Sequence, residues 1–83
     1  MTERELEQLN SGRLLRDAGQ VLLPLLATMK TSVQGRMIAC FRAGDTAILT
    51  ALTAELAVIT ELETKITQNN AVTAKREGKL NGN

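Results

Sequence analysis

Residues 45–68 read DTAILTALTAELAVITELETKITQ, and they contain the one apolar pattern in the chain that continues without interruption for several helical turns. Its apolar residues recur at spacings of three and four, which places them on one face of an α-helix. They are Ile48, Leu49, Leu52, Leu56, Ile59, Leu62 and Ile66. We therefore expect the rest of the chain to pack against this helix.

A second pattern runs beside the apolar stripe and is made of small, uncharged residues. It contains Thr46, Thr50, Thr53, Ala57, Thr60, Thr64 and Thr67. Glu55 is the one charged residue between Thr46 and Thr60, whereas a solvated helix face normally carries charges at every turn. This shoulder should therefore be covered, either by the first half of the same chain or, in part, by another chain.

The first half supplies a second apolar stripe at helical spacing, and the two stripes are separated by Ala43-Gly44-Asp45. Gly44 can adopt the left-handed conformation that closes a helix, and Asp45 can cap the next one. Because so short a connection brings neighbouring helices together antiparallel, the sequence predicts an all-α fold, an antiparallel helical hairpin. The predicted core consists of Leu22, Leu26, Met29, Val33, Met37 and Cys40 against Leu49, Leu52, Leu56, Ile59, Leu62 and Ile66.

The start of the chain predicts an additional N-terminal helical segment. Thr2 and Glu5 match a capping box, so a helix should begin there. Residues 10–12, Asn-Ser-Gly, weaken a helix and favour a break. Pro24 leaves two alternatives open, a kinked continuous helix or two helices that meet near Leu23.

Chain length allows one domain at most. Residues 1–68 are predicted to form the helical hairpin domain. Residues 69–83, NNAVTAKREGKLNGN, have lost the apolar periodicity and are rich in Asn, Gly and Lys. This composition predicts a disordered polar tail.

The composition argues against catalysis and metal binding. There is no His and a single Cys, Cys40, so the chain lacks a Cys/His zinc site, an intramolecular disulfide and a base to activate a thiol. We expect no enzymatic activity, no metal and no cofactor. The lone Cys fits a reducing, cytoplasmic location. The acidic start does not resemble a signal peptide, and the most apolar window, residues 21–29, is far shorter than a membrane span.

Charge is segregated along the chain although the formal net charge is +1. Residues 11–43 contain five basic residues and one acidic residue, whereas residues 45–63 contain four acidic residues and no basic one. This pattern favours an antiparallel pair with complementary edges. The small net charge gives no strong attraction to nucleic acid.

The chain resembles the small co-chaperones of the type III secretion needle protein. The similarity lies in the opening MTERELEQL, residues 1–9, and in LLATMKTSVQGRMIACFRAGD followed by ILTALTAELAVITEL, residues 25–45 and 48–62. The resemblance implies a cytoplasmic helical hairpin that pairs with a larger helical-repeat chaperone. Such a complex would keep the needle subunit soluble and unpolymerised before export.

We accordingly expect a non-enzymatic binding module whose partner is a protein. A core without Trp or Tyr is small, so the isolated chain is expected to be a homo-oligomer that associates through the threonine shoulder. An alternative is a self-assembling structural subunit, such as a secretion needle or rod component or a phage assembly protein. The predicted partner-binding residues are Ile48, Leu52, Thr53, Leu56, Ile59 and Thr60.

Overall fold

A computed structural model describes residues 2–81, and these residues form an antiparallel pair of long helices. Helix α1 spans Glu3–Ala43 and helix α2 spans Thr46–Leu80. Contacts between the two run in opposite chain directions, because Arg16 meets Glu77 whereas Lys30 meets Glu63. The rod measures 58 × 19 × 17 Å. The predicted all-α helical hairpin is confirmed.

The predicted caps explain where the helices begin and end. The Glu5 amide donates to the Thr2 hydroxyl at 3.2 Å, so Thr2 caps α1. Gly44 has a φ of 72°, and the amides of Gly44 and Asp45 donate to Phe41 and Cys40, which closes α1 in a Schellman arrangement. The Asp45 carboxylate then accepts from the Ile48 amide at 3.2 Å and caps α2. The turn therefore lies at Gly44-Asp45, as predicted.

The break predicted near residues 10–12 does not occur, since α1 is one continuous helix from Glu3 to Ala43. The additional N-terminal segment is thus the first part of α1. Gly12 is buried because it faces α2, so packing offsets its low helix propensity. Pro24 also lies inside α1, and the first of its two alternatives, a continuous helix, is the one observed.

The prediction of a disordered tail is wrong for residues 69–80, which continue α2 to Leu80. These residues contact the first part of α1. The Asn69 side chain donates to the Gly12 carbonyl at 2.9 Å, and Thr73 is fully buried. Because small and polar residues form these contacts, the apolar periodicity stops although the helix does not. Residues 82 and 83 of the predicted tail lie outside the described residues.

The core follows two sets of positions, each of which repeats every seven residues, as in an antiparallel coiled coil. The buried set contains Gly12, Gly19, Leu26 and Val33 of α1 and Leu52, Ile59, Ile66 and Thr73 of α2. The half-buried set contains Arg16, Leu23, Lys30 and Met37 of α1 and Leu49, Leu56, Glu63, Asn70 and Glu77 of α2. The half of the hairpin near the turn is thus aliphatic, whereas the half near the chain ends is mostly polar or glycine, with Leu9 and Ile66 as its buried aliphatic side chains.

Three residues predicted for the core lie at the surface instead. Leu22, Met29 and Leu62 are 38, 41 and 45% exposed. At this point of α1, Leu23 rather than its neighbour Leu22 packs against the core. The other predicted core residues are buried or half-buried, as expected.

Neither helix of residues 2–81 contains a window that is long and apolar enough to cross a membrane.

Candidate protein-binding surfaces

The hairpin presents two long flanks that differ in chemistry. In an antiparallel pair each flank is built from positions just outside the core on both helices. The threonine flank contains Thr53, Ala57, Thr60 and Thr64 of α2 with Gln34 and Ile38 of α1. The apolar flank, on the opposite side, contains Leu15, Leu22, Leu25 and Met29 of α1 with Val58 and Leu62 of α2. All twelve residues are exposed.

The structure divides the predicted partner-binding residues between the core and the surface. Leu52 and Ile59 are each 3% exposed and pack inside the hairpin, so a partner cannot reach them while the helices are paired. Their assignment to a partner-facing surface is corrected to the core for this reason.

The other four predicted partner-binding residues are exposed or half-buried, but they do not all lie on the same flank. Thr53 and Thr60 are exposed on the threonine flank, and half-buried Leu56 lies between them at the edge of the core. Ile48 is 48% exposed. It precedes Leu62 by two heptads and therefore lies on the side of the apolar flank, near the turn. The structure brings together Thr53, Leu56 and Thr60 and separates Ile48 from them.

The threonine flank is more apolar than its composition indicates. The hydroxyls of Thr50 and Thr53 donate to the carbonyls four residues earlier, each at 2.8 Å. Those of Thr64 and Thr67 do the same at 3.0 and 2.9 Å. A threonine whose hydroxyl is bonded to its own helix has no need of a partner for that group. Its methyl group is then available for apolar contact.

A shallow groove on the α2 side of this flank is lined by Thr53, Leu56, Ala57, Thr60, Glu61 and Thr64. Beside it, a second depression between the two helices is lined by Gln34, Met37, Ile38 and Leu56, so Leu56 borders both. Small residues in the groove and flexible Met37 beside it suit an apolar segment that approaches closely.

Farther from the turn, ion pairs between α1 and α2 lie along the same threonine flank. Lys30 and Glu63 are joined at 2.8 Å, and Arg13 lies 3.3 Å from the Glu77 carboxylate, which also pairs with Arg16. The expectation that a basic first helix faces an acidic second helix is confirmed at Lys30 and Glu63. These pairs recur at heptad spacing and help to fix the register of the hairpin.

Glu77 should make the stability of the hairpin depend on pH. The hydrogen bond from Arg16 holds the pKa of Glu77 below its ordinary value of 4.5, and Arg13 lowers it further. A carboxyl group whose pKa is lowered by folding stabilises the folded state above its ordinary pKa, and this contribution is lost as the pH falls through the lowered value. We expect Glu77→Gln to be less stable than wild type at pH 7, with the two urea midpoints converging as the solution is acidified below pH 4.5.

The control for this prediction is Glu61→Gln. Glu61 pairs with Lys65 within α2, and both side chains are about two-thirds exposed, at 64 and 67%. So exposed a pair contributes little. A difference between the wild-type and Glu61→Gln midpoints that changes with pH as much as the difference between wild type and Glu77→Gln would contradict a specific role for the Arg16–Glu77 contact.

The apolar flank was not recognised from sequence. Leu15, Leu22 and Met29 are 41, 38 and 41% exposed, and each immediately precedes a half-buried core residue. Their spacing by seven residues is the signal that could have indicated a separate surface. Because the apolar stripe of α1 is broad, however, the same residues also fit a core position. Leu25 and Val58 are more exposed still, at 52 and 57%.

The packing of the two helices at the polar end of the hairpin, around Gly12, Gly19 and Thr73, was also not predicted from sequence. A Cβ atom built on Gly12 would clash with the Thr73 hydroxyl oxygen, and one on Gly19 would lie 2.7 Å from the Ile66 Cγ2 methyl. The helices therefore approach so closely at these two positions that a larger residue does not fit. The signal in the sequence was the spacing of the two glycines by seven, in phase with Leu26.

Neither flank carries a recognisable catalytic group. Cys40 is half-buried beside the turn, and the chain has no His to activate its thiol. The exposed side chains of the two flanks are the candidates for contact with another protein. No family model, curated protein or solved structure matches the chain, so a function has to be inferred from the geometry of these two flanks.

Proposed function

We propose that the chain is a non-enzymatic helical binding module that holds an apolar segment of another protein on its threonine flank. The observation that carries this proposal is that the Thr53 and Thr64 hydroxyls are bonded within α2, which leaves their methyl groups available for apolar contact on the flank that contains Leu56 and Ile38. An amphipathic helix laid into a shallow apolar groove is a common mode of peptide recognition.

The resemblance to the needle co-chaperones suggests a specific form of this function. In that form the hairpin pairs in the bacterial cytoplasm with a larger helical-repeat chaperone, and the complex keeps the needle subunit soluble before export. A hairpin with one groove open to a partner helix is compatible with such pairing. The small side chains of Ala57 and Thr60 would allow the backbones to approach closely.

Affinity purification of the tagged full chain from its native host, followed by mass spectrometry, tests the proposal. We expect recovery of a helical-repeat protein together with a small needle-like protein. Thr60→Glu should weaken partner binding about tenfold or more, because it places a charge in an apolar contact. Leu56 is a poorer site for this test, since it also packs against the core of the hairpin.

The matched control is Ala54→Glu, which adds the same charge to α2 on the side that points away from both flanks. It should retain the partner. Binding that survives Thr60→Glu but is lost in Arg36→Glu or Arg42→Glu would show an electrostatic contact through α1. That result would contradict the assignment to the threonine flank.

A self-assembling structural subunit is the second candidate. It is favoured by the exposure of apolar residues on both flanks of one rod, because two separate contact surfaces allow growth beyond a closed pair. Sedimentation of the purified chain would reveal it as particles whose size increases with protein concentration. A binding module should instead reach one defined size.

A further inference from the structure

We infer that the apolar flank is where a second copy of this chain docks, so that two hairpins form a four-helix bundle. The apolar flank consists of six exposed apolar residues. None of them lines the groove on the threonine flank that is proposed to hold a partner. This inference therefore goes beyond the proposed function, and either assignment can fail without the other.

The amount of exposed surface favours such a dimer. A compact monomer of 9.0 kDa would expose about 4,900 Å². The hairpin exposes 5937 Å². The excess of about 1,000 Å² is comparable to the roughly 800 Å² that each partner contributes to a stable protein interface. Lateral pairing of two 58 Å rods is the simplest way to remove this excess.

The chemistry of the flank resembles an interface core with a polar rim. Leu22, Met29 and Leu62 occupy its middle. At the turn end the heptad positions that continue the flank are Arg36 and Glu55, both exposed. A centre depleted of charge and bordered by charged residues is the usual composition of a protein interface.

Charge complementarity selects the orientation of the second copy. A two-fold axis parallel to the rod places α1 of one copy against α2 of the other, with the two turns at the same end. On this flank the charged residues at the turn end are Arg36 of α1 and Glu55 of α2, and the pairing brings Arg36 of one copy level with Glu55 of the second. Every pair of neighbouring helices in this four-helix bundle then runs antiparallel, as in up-and-down bundles.

Analytical ultracentrifugation of the full chain with two variants tests the inference. Wild type should be a dimer at micromolar concentration. Leu62→Glu should raise the dimer dissociation constant at least tenfold, because it adds a charge on both copies to the middle of an apolar contact. Thr60→Glu is the matched control, with the same charge two residues away on the opposite flank, and it should remain dimeric.

A monomeric wild type, or a dimer that Thr60→Glu dissociates while Leu62→Glu does not, would overturn the inference. Double electron–electron resonance gives an independent result if a variant loses its helical circular dichroism. Spin labels at Val58→Cys or Thr60→Cys, each in a Cys40→Ser background, report distances between copies. We expect the shorter distance for the Val58 labels, and the reverse order or no distance between copies would contradict docking on the apolar flank.

Discussion

Replacing Ile59 with alanine is expected to lower the free energy of unfolding by about 2–5 kcal/mol. Ile59 is 3% exposed and lies in the aliphatic half of the core with Leu26, Val33 and Leu52. Truncation removes buried apolar surface and leaves a cavity that two long helices cannot easily collapse around. Urea denaturation followed by circular dichroism measures the change, at one protein concentration because self-association would couple stability to concentration.

Val58→Ala is the control for this experiment. It removes two methyl groups from the adjacent residue, whose side chain is 57% exposed. A substitution at so exposed a position typically changes stability by about 0.5 kcal/mol or less. Equal losses for the two variants would show that Ile59 does not lie in the core. Comparison at low concentration, where a dimer through the apolar flank dissociates, separates the effect of Val58 on association from its effect on folding.

The half of the hairpin near the turn could be predicted from sequence because its core is made of large aliphatic residues. Leu26 and Val33 of α1 are seven residues apart, as are Leu52 and Ile59 of α2, and Gly44 and Asp45 mark the turn between the two long helices. Local signals and packing agree in this half. The caps, the turn and the antiparallel pairing followed from these residues alone.

Which of two adjacent apolar residues of α1 packs against α2 could not be predicted in the same way. Residues 21–26 read VLLPLL, so a stripe shifted by one residue is equally apolar. In the structure Leu23 and Leu26 face α2, and Leu22 and Leu25 face outward. The packing of the whole hairpin decides which of these residues faces α2, and that packing includes the close approach of the helices at Gly12 and Gly19.

The polar end could not be predicted because its packing depends on the absence of side chains. Gly12, Gly19 and Thr73 occupy positions where an apolar core would have leucine, and from sequence Gly12 is expected to weaken α1 and Thr73 to lie in a disordered tail. Their effect depends on the opposite helix, which a reading of local propensity does not include. The same holds for Asn69, whose bond to Gly12 crosses between the helices.

The two ends should also differ in stability. Among the described residues, the Asn70 Oδ1 atom and the Thr73 hydroxyl are buried without a hydrogen-bond partner. Buried polar atoms that lack a partner are costly, whereas the aliphatic half gains from every buried side chain. Close packing at the glycines, the fully buried Leu9 and the ion pair at Arg16 therefore have to hold the polar end together and specify its register.

Gly19→Ala tests this dependence on close packing, with Gly35→Ala as the matched control. The added Cβ at Gly19 would lie 2.7 Å from Ile66 Cγ2, and Ile66 is only 5% exposed. A β-branched side chain in a helix has one strongly preferred rotamer, so the methyl cannot turn away and the helices have to move apart. Gly35 is exposed, and a Cβ there would meet no described atom within 4 Å.

The two substitutions make the same gain in helix propensity, about 1 kcal/mol, because each replaces a glycine inside α1. At Gly35 nothing opposes this gain, and we expect the free energy of unfolding to rise by about 0.5–1 kcal/mol. At Gly19 overpacking costs about 1–3 kcal/mol, so we expect a net loss of up to about 2 kcal/mol. Urea midpoints of the two variants should therefore move in opposite directions from wild type. If Gly19→Ala stabilises the hairpin as much as Gly35→Ala does, the two helices do not touch at this position, and the close approach that sets the register of the polar end is absent.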